Sequence, residues 1–148
     1  MMFGSGSQDY NERNAVPINI GEELFLEWAN KKCSFVTRLG FDEKNRNVDY
    51  FYNLNPLLRN IPDFLIINNE RAFLVNVKGT GNIKKKEMDL LPKIIETYST
   101  EKAPLVYAFC FRDCEPIFMN TDKLIELFEE AEDKAWSDGV VYRNINVR

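Results

Sequence analysis

An α/β domain is the fold class this sequence predicts, and three observations predict it. Strand-length apolar runs such as "PLVYAFCF" alternate with stretches of helical periodicity. Hydrophobic residues make up 45% of the 148 residues and aromatics 13%, ample for one packed core. No repeat, low-complexity tract or internal linker divides the chain. Residues 19–148 therefore read as a single domain. Residues 1–18, with the polar, aperiodic "MMFGSGSQDYNERN", read as a flexible leader in which "GSGS" resembles a cloning linker.

The elements follow in order. Ile20 to Lys32 has helical periodicity with Asn19 as its N-cap, and Ser34 to Phe41 reads as a strand. "DEKNRN" interrupts, and the aromatic "VDYFYNLNPLL" after it fits no single state. Phe64 to Ile67 and Ala72 to Lys78 read as two strands joined by a polar turn, with "KGTGN" a loop. Lys84 to Tyr98 is a helix striped by Leu91, Ile94, Ile95 and Tyr98, which Pro92 should kink or restart. "PLVYAFCF" and "EPIFM" are strands. Thr121 to Trp136 reads as a helix capped by Thr121, with Leu124, Ile125, Leu127, Phe128 and Ala131 on one side, and "GVVYRNINV" closes the chain as a strand.

Composition narrows the chemistry. The chain has no histidine, which excludes His-based triads, His-bearing zinc sites and imidazole acid–base catalysis. Catalysis has to rest on carboxylates, lysine, or a hard metal ion held by oxygen ligands. Cys33, Cys110 and Cys114 cannot all pair with one another and lack the second pair that a zinc site needs, so they read as free thiols. A net charge of −4 argues against a protein that coats nucleic acid by charge alone, though a local basic strip can still serve phosphates. No apolar run reaches the ~18 residues of a membrane span and no secretory signal is visible, so an intracellular, cytoplasmic protein without a membrane partner is expected.

The stretch "IPDFLIINNERAFLVNVKGT" gathers polar groups at one end of an apolar hairpin. A two-residue turn at Asn69 and Glu70 sets Asp63 directly opposite Asn76, on one face and within side-chain reach. Strand alternation returns Lys78 to that face, while Phe64, Ile66, Phe73, Val75 and Val77 point the other way into the core. A hairpin whose ends are polar only because strands end at the surface has the same spelling. Two companions bear on the choice. On the first helix Glu22 falls inside the apolar arc of Leu24, Phe25, Leu26, Trp28 and Ala29, where a carboxylate needs a partner such as a metal, unless it lies at the rim and reaches water. After Lys78, "GTGNIKKKE" places Thr80 between two glycines and Lys84, Lys85 and Lys86 at a helix start. Lysines there oppose the helix dipole, so a nucleic-acid phosphate would offset the cost; a solvated basic patch is the plainer alternative.

Pro62–Asp63, then 12 intervening residues, then Asn76–Val77–Lys78, behind a helix that begins Gly21–Glu22, resembles the PD-(D/E)XK nuclease superfamily. "PDFLI…AFLVNVKG" is particularly similar to small phage and archaeal Holliday-junction resolvases and to very-short-patch repair nucleases. The resemblance covers about Gly21 to Phe111. It implies a restriction-endonuclease-like mixed central β-sheet flanked by helices, with one or two magnesium or manganese ions as cofactor. Asp63 would be a metal ligand, Val77 a ligand through its carbonyl, Glu22 a helper, and Lys78 the residue that activates water. It also implies an endonuclease that hydrolyses DNA, selective for a junction, flap or end, and natural as a homodimer on a symmetric substrate. Asn76 departs from the pattern, since a carboxylate is expected there. An amide oxygen still coordinates but carries no charge. Natural tolerance, lost catalysis in a module that only binds nucleic acid or protein, and a deliberate Asp-to-Asn exchange all fit that letter.

Overall fold

The computed structural model describes residues 20–40 and 53–148. The leader, the Asn19 cap and the stretch from Phe41 to Tyr52 lie outside the described residues. The elements are α1 (Ile20–Lys32), β1 (Phe35–Arg38), α2 (Pro56–Arg59), β2 (Phe64–Asn68), β3 (Arg71–Lys78), β4 (Asn82–Lys84), α3 (Lys85–Tyr98), β5 (Leu105–Phe109), β6 (Ile117–Asn120), α4 (Thr121–Glu130), β7 (Asp133–Ala135) and β8 (Val141–Asn144). No helix among the described residues is long and apolar enough to cross a membrane.

A five-stranded mixed sheet in the order β1-β2-β3-β5-β6 forms the centre, with β3 and β5 parallel and every other neighbouring pair antiparallel. Alternation along β5 divides the core. Tyr107 and Phe109 pack with Leu91 and Ile94 of α3 and Leu124 and Phe128 of α4, whereas Ala108 and Cys110 pack on the opposite face with Phe25 and Ala29 of α1. Helices thus cover both faces, as expected of a mixed sheet with a parallel crossover. The hairpin register matches the reading from the sequence: Phe64 pairs with Val75 and Asn68 with Arg71. Phe64, Ile66, Val75 and Val77 are buried on the α1 side, with Phe73 packed against them. Cys110 is a buried thiol, Cys33 partly buried and Cys114 exposed, and none is in a disulfide.

Three expectations change. The last helix stops at Glu130 rather than Trp136, and Asn120, not Thr121, caps it by accepting from the Lys123 N–H at 2.8 Å. Glu129, Glu130, Glu132 and Asp133 crowd negative charge at that helix end, where the dipole disfavours it, and the chain turns instead into β7. The closing strand does not join the central sheet; it forms a three-stranded sheet, β4-β8-β7, with two strands the sequence does not announce. Gly81 permits this, because a Cβ there would lie 2.5 Å from the Ile145 carbonyl oxygen. Finally, α3 runs unbroken through the exposed Pro92, where the lost N–H leaves a carbonyl one turn back for water to satisfy.

Candidate functional site

The hairpin end, the start of α1 and the first turn of α3 meet where β3 leaves the sheet. Asp63 just precedes β2, and extending the hairpin register sets it opposite Asn76. Its backbone carbonyl accepts from the N–H groups of Leu39 (2.8 Å) and Gly40 (3.3 Å), and its Oδ2 accepts from the Val77 N–H at 2.8 Å. Backbone groups therefore hold the residue from both sides, and one of them, the Val77 N–H, holds the carboxylate itself. The Val77 carbonyl leaves the strand on the same side as its N–H, hence beside Asp63.

Gly21 brings the acidic start of α1 to this point. A Cβ on Gly21 would lie 3.0 Å from the Cα and N of Gly79, so the helix rests directly on the chain leaving Lys78. Glu22 is buried at 7% exposure and is ion-paired with Arg38, whose guanidinium also covers the Phe64 ring at 4.9 Å. The carboxylate in the apolar arc thus has a cationic partner from β1.

On the α3 side, Lys78 Nζ contacts Glu87 Oε1 at 2.5 Å, and the Tyr107 hydroxyl donates to Glu87 Oε2 at 2.9 Å. Asn76 lies beside Tyr107 in the parallel register, where its side chain eases ionisation of the phenol against the effects of burial and of Glu87. A chain Tyr107–Glu87–Lys78 results, with Asn76 next to its tyrosine end.

The electrostatics follow from these contacts. Burial and the nearby Glu22 charge push the Asp63 carboxyl up to about 7, against the opposing pull of the Val77 N–H and Lys78. Burial also pushes Glu87 upward, but the Lys78 charge and the bonds from Lys78 and Tyr107 outweigh it and hold Glu87 below its usual range. Burial, then the Glu87 charge, keeps the Tyr107 phenol protonated. Asp63 is therefore the carboxylate most short of positive charge.

Hard oxygen donors at this point are Asp63, the Asn76 amide oxygen and the Val77 carbonyl. Among the described residues no three His, Cys, Asp or Glu side chains converge as an all-protein cage. Magnesium fits such a sparse set, since it keeps several waters and binds through one or two carboxylates plus phosphate oxygens.

Glu22, Asp63, Asn76, Val77 and Lys78 thus come together. The outlying residues do not share one direction: Thr80 Oγ1 accepts from the Asn82 N–H at 3.2 Å, Lys84 ends β4, Lys85 pairs with Asp133 at 3.2 Å, and Lys86 is exposed. Sequence reasoning missed Glu87, Arg38 and Tyr107. Glu87 was findable, because it shares the helical arc of Leu91, Ile94 and Tyr98 as Glu22 shares that of Phe25. Arg38 follows Val36 by two and so shares its inward face. Tyr107 had no signal, since its place beside Asn76 depends on a parallel register set by packing. Compared with protein-family models, curated proteins and solved structures, the chain matches none.

Proposed function

We propose that this protein is a metal-dependent nuclease of the PD-(D/E)XK type acting on DNA. The observation that carries the reading is Asp63: fixed by backbone on both sides, opposite Asn76, and charge-starved enough to titrate near 7. A perturbed carboxylate at a strand end beside other polar groups is a functional-site signature. A bound magnesium or manganese ion supplies charge against the developing phosphate negative charge and acidifies water. Asp63, Asn76 and the Val77 carbonyl are the residues to hold it. Glu87 and Tyr107 fix the Lys78 ammonium at the site's edge, positioned to orient a water, and Arg38 offsets part of the Glu22 charge that raises Asp63.

A second reading, a binding module without cleavage, draws on the fact that Glu22 and Lys78 are both engaged in internal ion pairs and position 76 is neutral. Nicking of branched and linear DNA in magnesium and manganese separates the two. The nuclease reading expects activity that Asp63→Asn abolishes and Asn76→Asp raises ten-fold or more, with tighter metal binding. If the folded Asn76→Asp protein neither binds metal better nor cuts, the module reading replaces it.

A further inference from the structure

The three-stranded sheet presents an outer face next to the site, linked to it through Lys84, whose charge helps hold Glu87 low. Lys84 and Lys134 are both direct neighbours of Tyr142, one from each side, so the three side chains form a row across the sheet on one face. Alternation puts Asn82 and Asn144 on that face as well, joined by a 2.7 Å hydrogen bond. Trp136, two residues beyond Lys134, stacks on Tyr142 with ring centroids 4.0 Å apart and planes 15° from parallel. The opposite face carries the buried Ile83 and turns inward, where Arg143 donates to the Phe128 carbonyl at 2.8 Å.

The acidic residue within the strands is on the inner face. Asp133 lies on the inner side, tied to Arg143 at 2.7 Å and to Lys85 at 3.2 Å. Glu132 borders the face, and Asp138 Oδ1 accepts from the Val140 N–H within the β7–β8 turn. Lys134 is exposed, and among the described residues no ion pair engages it. A chain of net charge −4 thus shows, on one small sheet, two lysines flanking a half-buried aromatic pair.

We propose that this outer face binds a single-stranded nucleic-acid segment, with Lys84 and Lys134 on phosphates and a base on the Trp136–Tyr142 stack. Strand-tracking cations beside an aromatic platform are what an unpaired strand requires, because every base offers a π face while a duplex hides it. The face lies close along the chain to the proposed site, since β4 begins four residues after Lys78. The proposal rests on the nucleic-acid reading of that site and supplies its preference for unpaired strands.

The test is binding of the full chain to a labelled mixed-sequence single strand by fluorescence anisotropy, at several salt concentrations and in EDTA so that no cleavage intervenes. Lys134→Gln should weaken binding and lower the log–log salt slope by about 0.7, the value for one phosphate contact on a single strand. Tyr142→Leu should weaken binding about five-fold or more with the slope unchanged. If both variants melt as the parent does and bind with parental affinity and slope, the face is not the binding surface. Should Tyr142→Leu fail to fold, Lys134→Gln still decides, since it alters only an exposed side chain. A base-free polyanion that competes as well as the strand, together with no effect of Tyr142→Leu, also overturns the proposal. Cleavage lost in Asp63→Asn with strand binding intact bears only on the catalytic reading; intact cleavage with no loss in either face variant removes only the face.

Discussion

Asp63 makes a prediction that needs no substrate. Its carboxyl titrates near 7 in the folded chain against about 3.9 when unfolded, so between those values the folded state holds a proton the unfolded state has released. Stability contributed by this group is therefore greatest at low pH, declines as pH rises through that window, and above 7 leaves a constant penalty of roughly 2–4 kcal/mol. Asp63→Asn keeps an oxygen for the Val77 N–H and removes the charge. The variant should be more stable than the parent at pH 8, with the gap closing toward pH 4, in urea melts run with EDTA. A gap that stays constant with pH would mean the carboxyl titrates normally. The residues of the site were legible to the extent that local rules place them: hairpin alternation found Asp63, Asn76 and Lys78, and helical periodicity found Glu22. The network behind them was not, because Tyr107 reaches Asn76 only through a strand pairing that no local pattern encodes.

Among the elements, the β2–β3 hairpin was legible because one turn fixes its register and one buried face forbids slippage. Its turn is also a stability reserve. Asn69 and Glu70 both have positive φ, 53° and 65°, the pairing that a two-residue turn of the favoured twist requires. Asn tolerates that region and Glu does not, so Glu70→Gly should raise stability by about 1 kcal/mol, seen as a higher urea midpoint at unchanged m. A lower midpoint would mean that Glu70 makes a compensating contact. The small sheet was illegible for the opposite reason. β4 and β7 are three residues each, too short for a periodic signal, and β4 pairs with a strand from the far end of the chain, Asn82 with Asn144. The end of α4 was misread because its apolar stripe continues to Ala131 while its charge pattern does not.

Across the whole molecule, the site lies where the two faces of the central sheet meet. Asp63, Asn76 and Lys78 belong by alternation to the α3 side, whereas Glu22 comes from the helix on the other side. Only the end of the sheet allows both helices to reach one place, and Gly21 against Gly79 is the contact that allows it for α1. That contact separates what activity reports from what abundance reports. A methyl group at position 21 has to move α1 by a few tenths of an ångström, which a folded protein accommodates but a site assembled from two layers does not. In a library of single substitutions, Gly21→Ala should rank with the acidic residues when clones are scored by the proposed DNA cleavage, and with ordinary helix positions when scored by the amount of folded protein. A glycine with no chemistry of its own would then look catalytic to any screen that reads function alone, and only the paired measurement would show that its role is clearance.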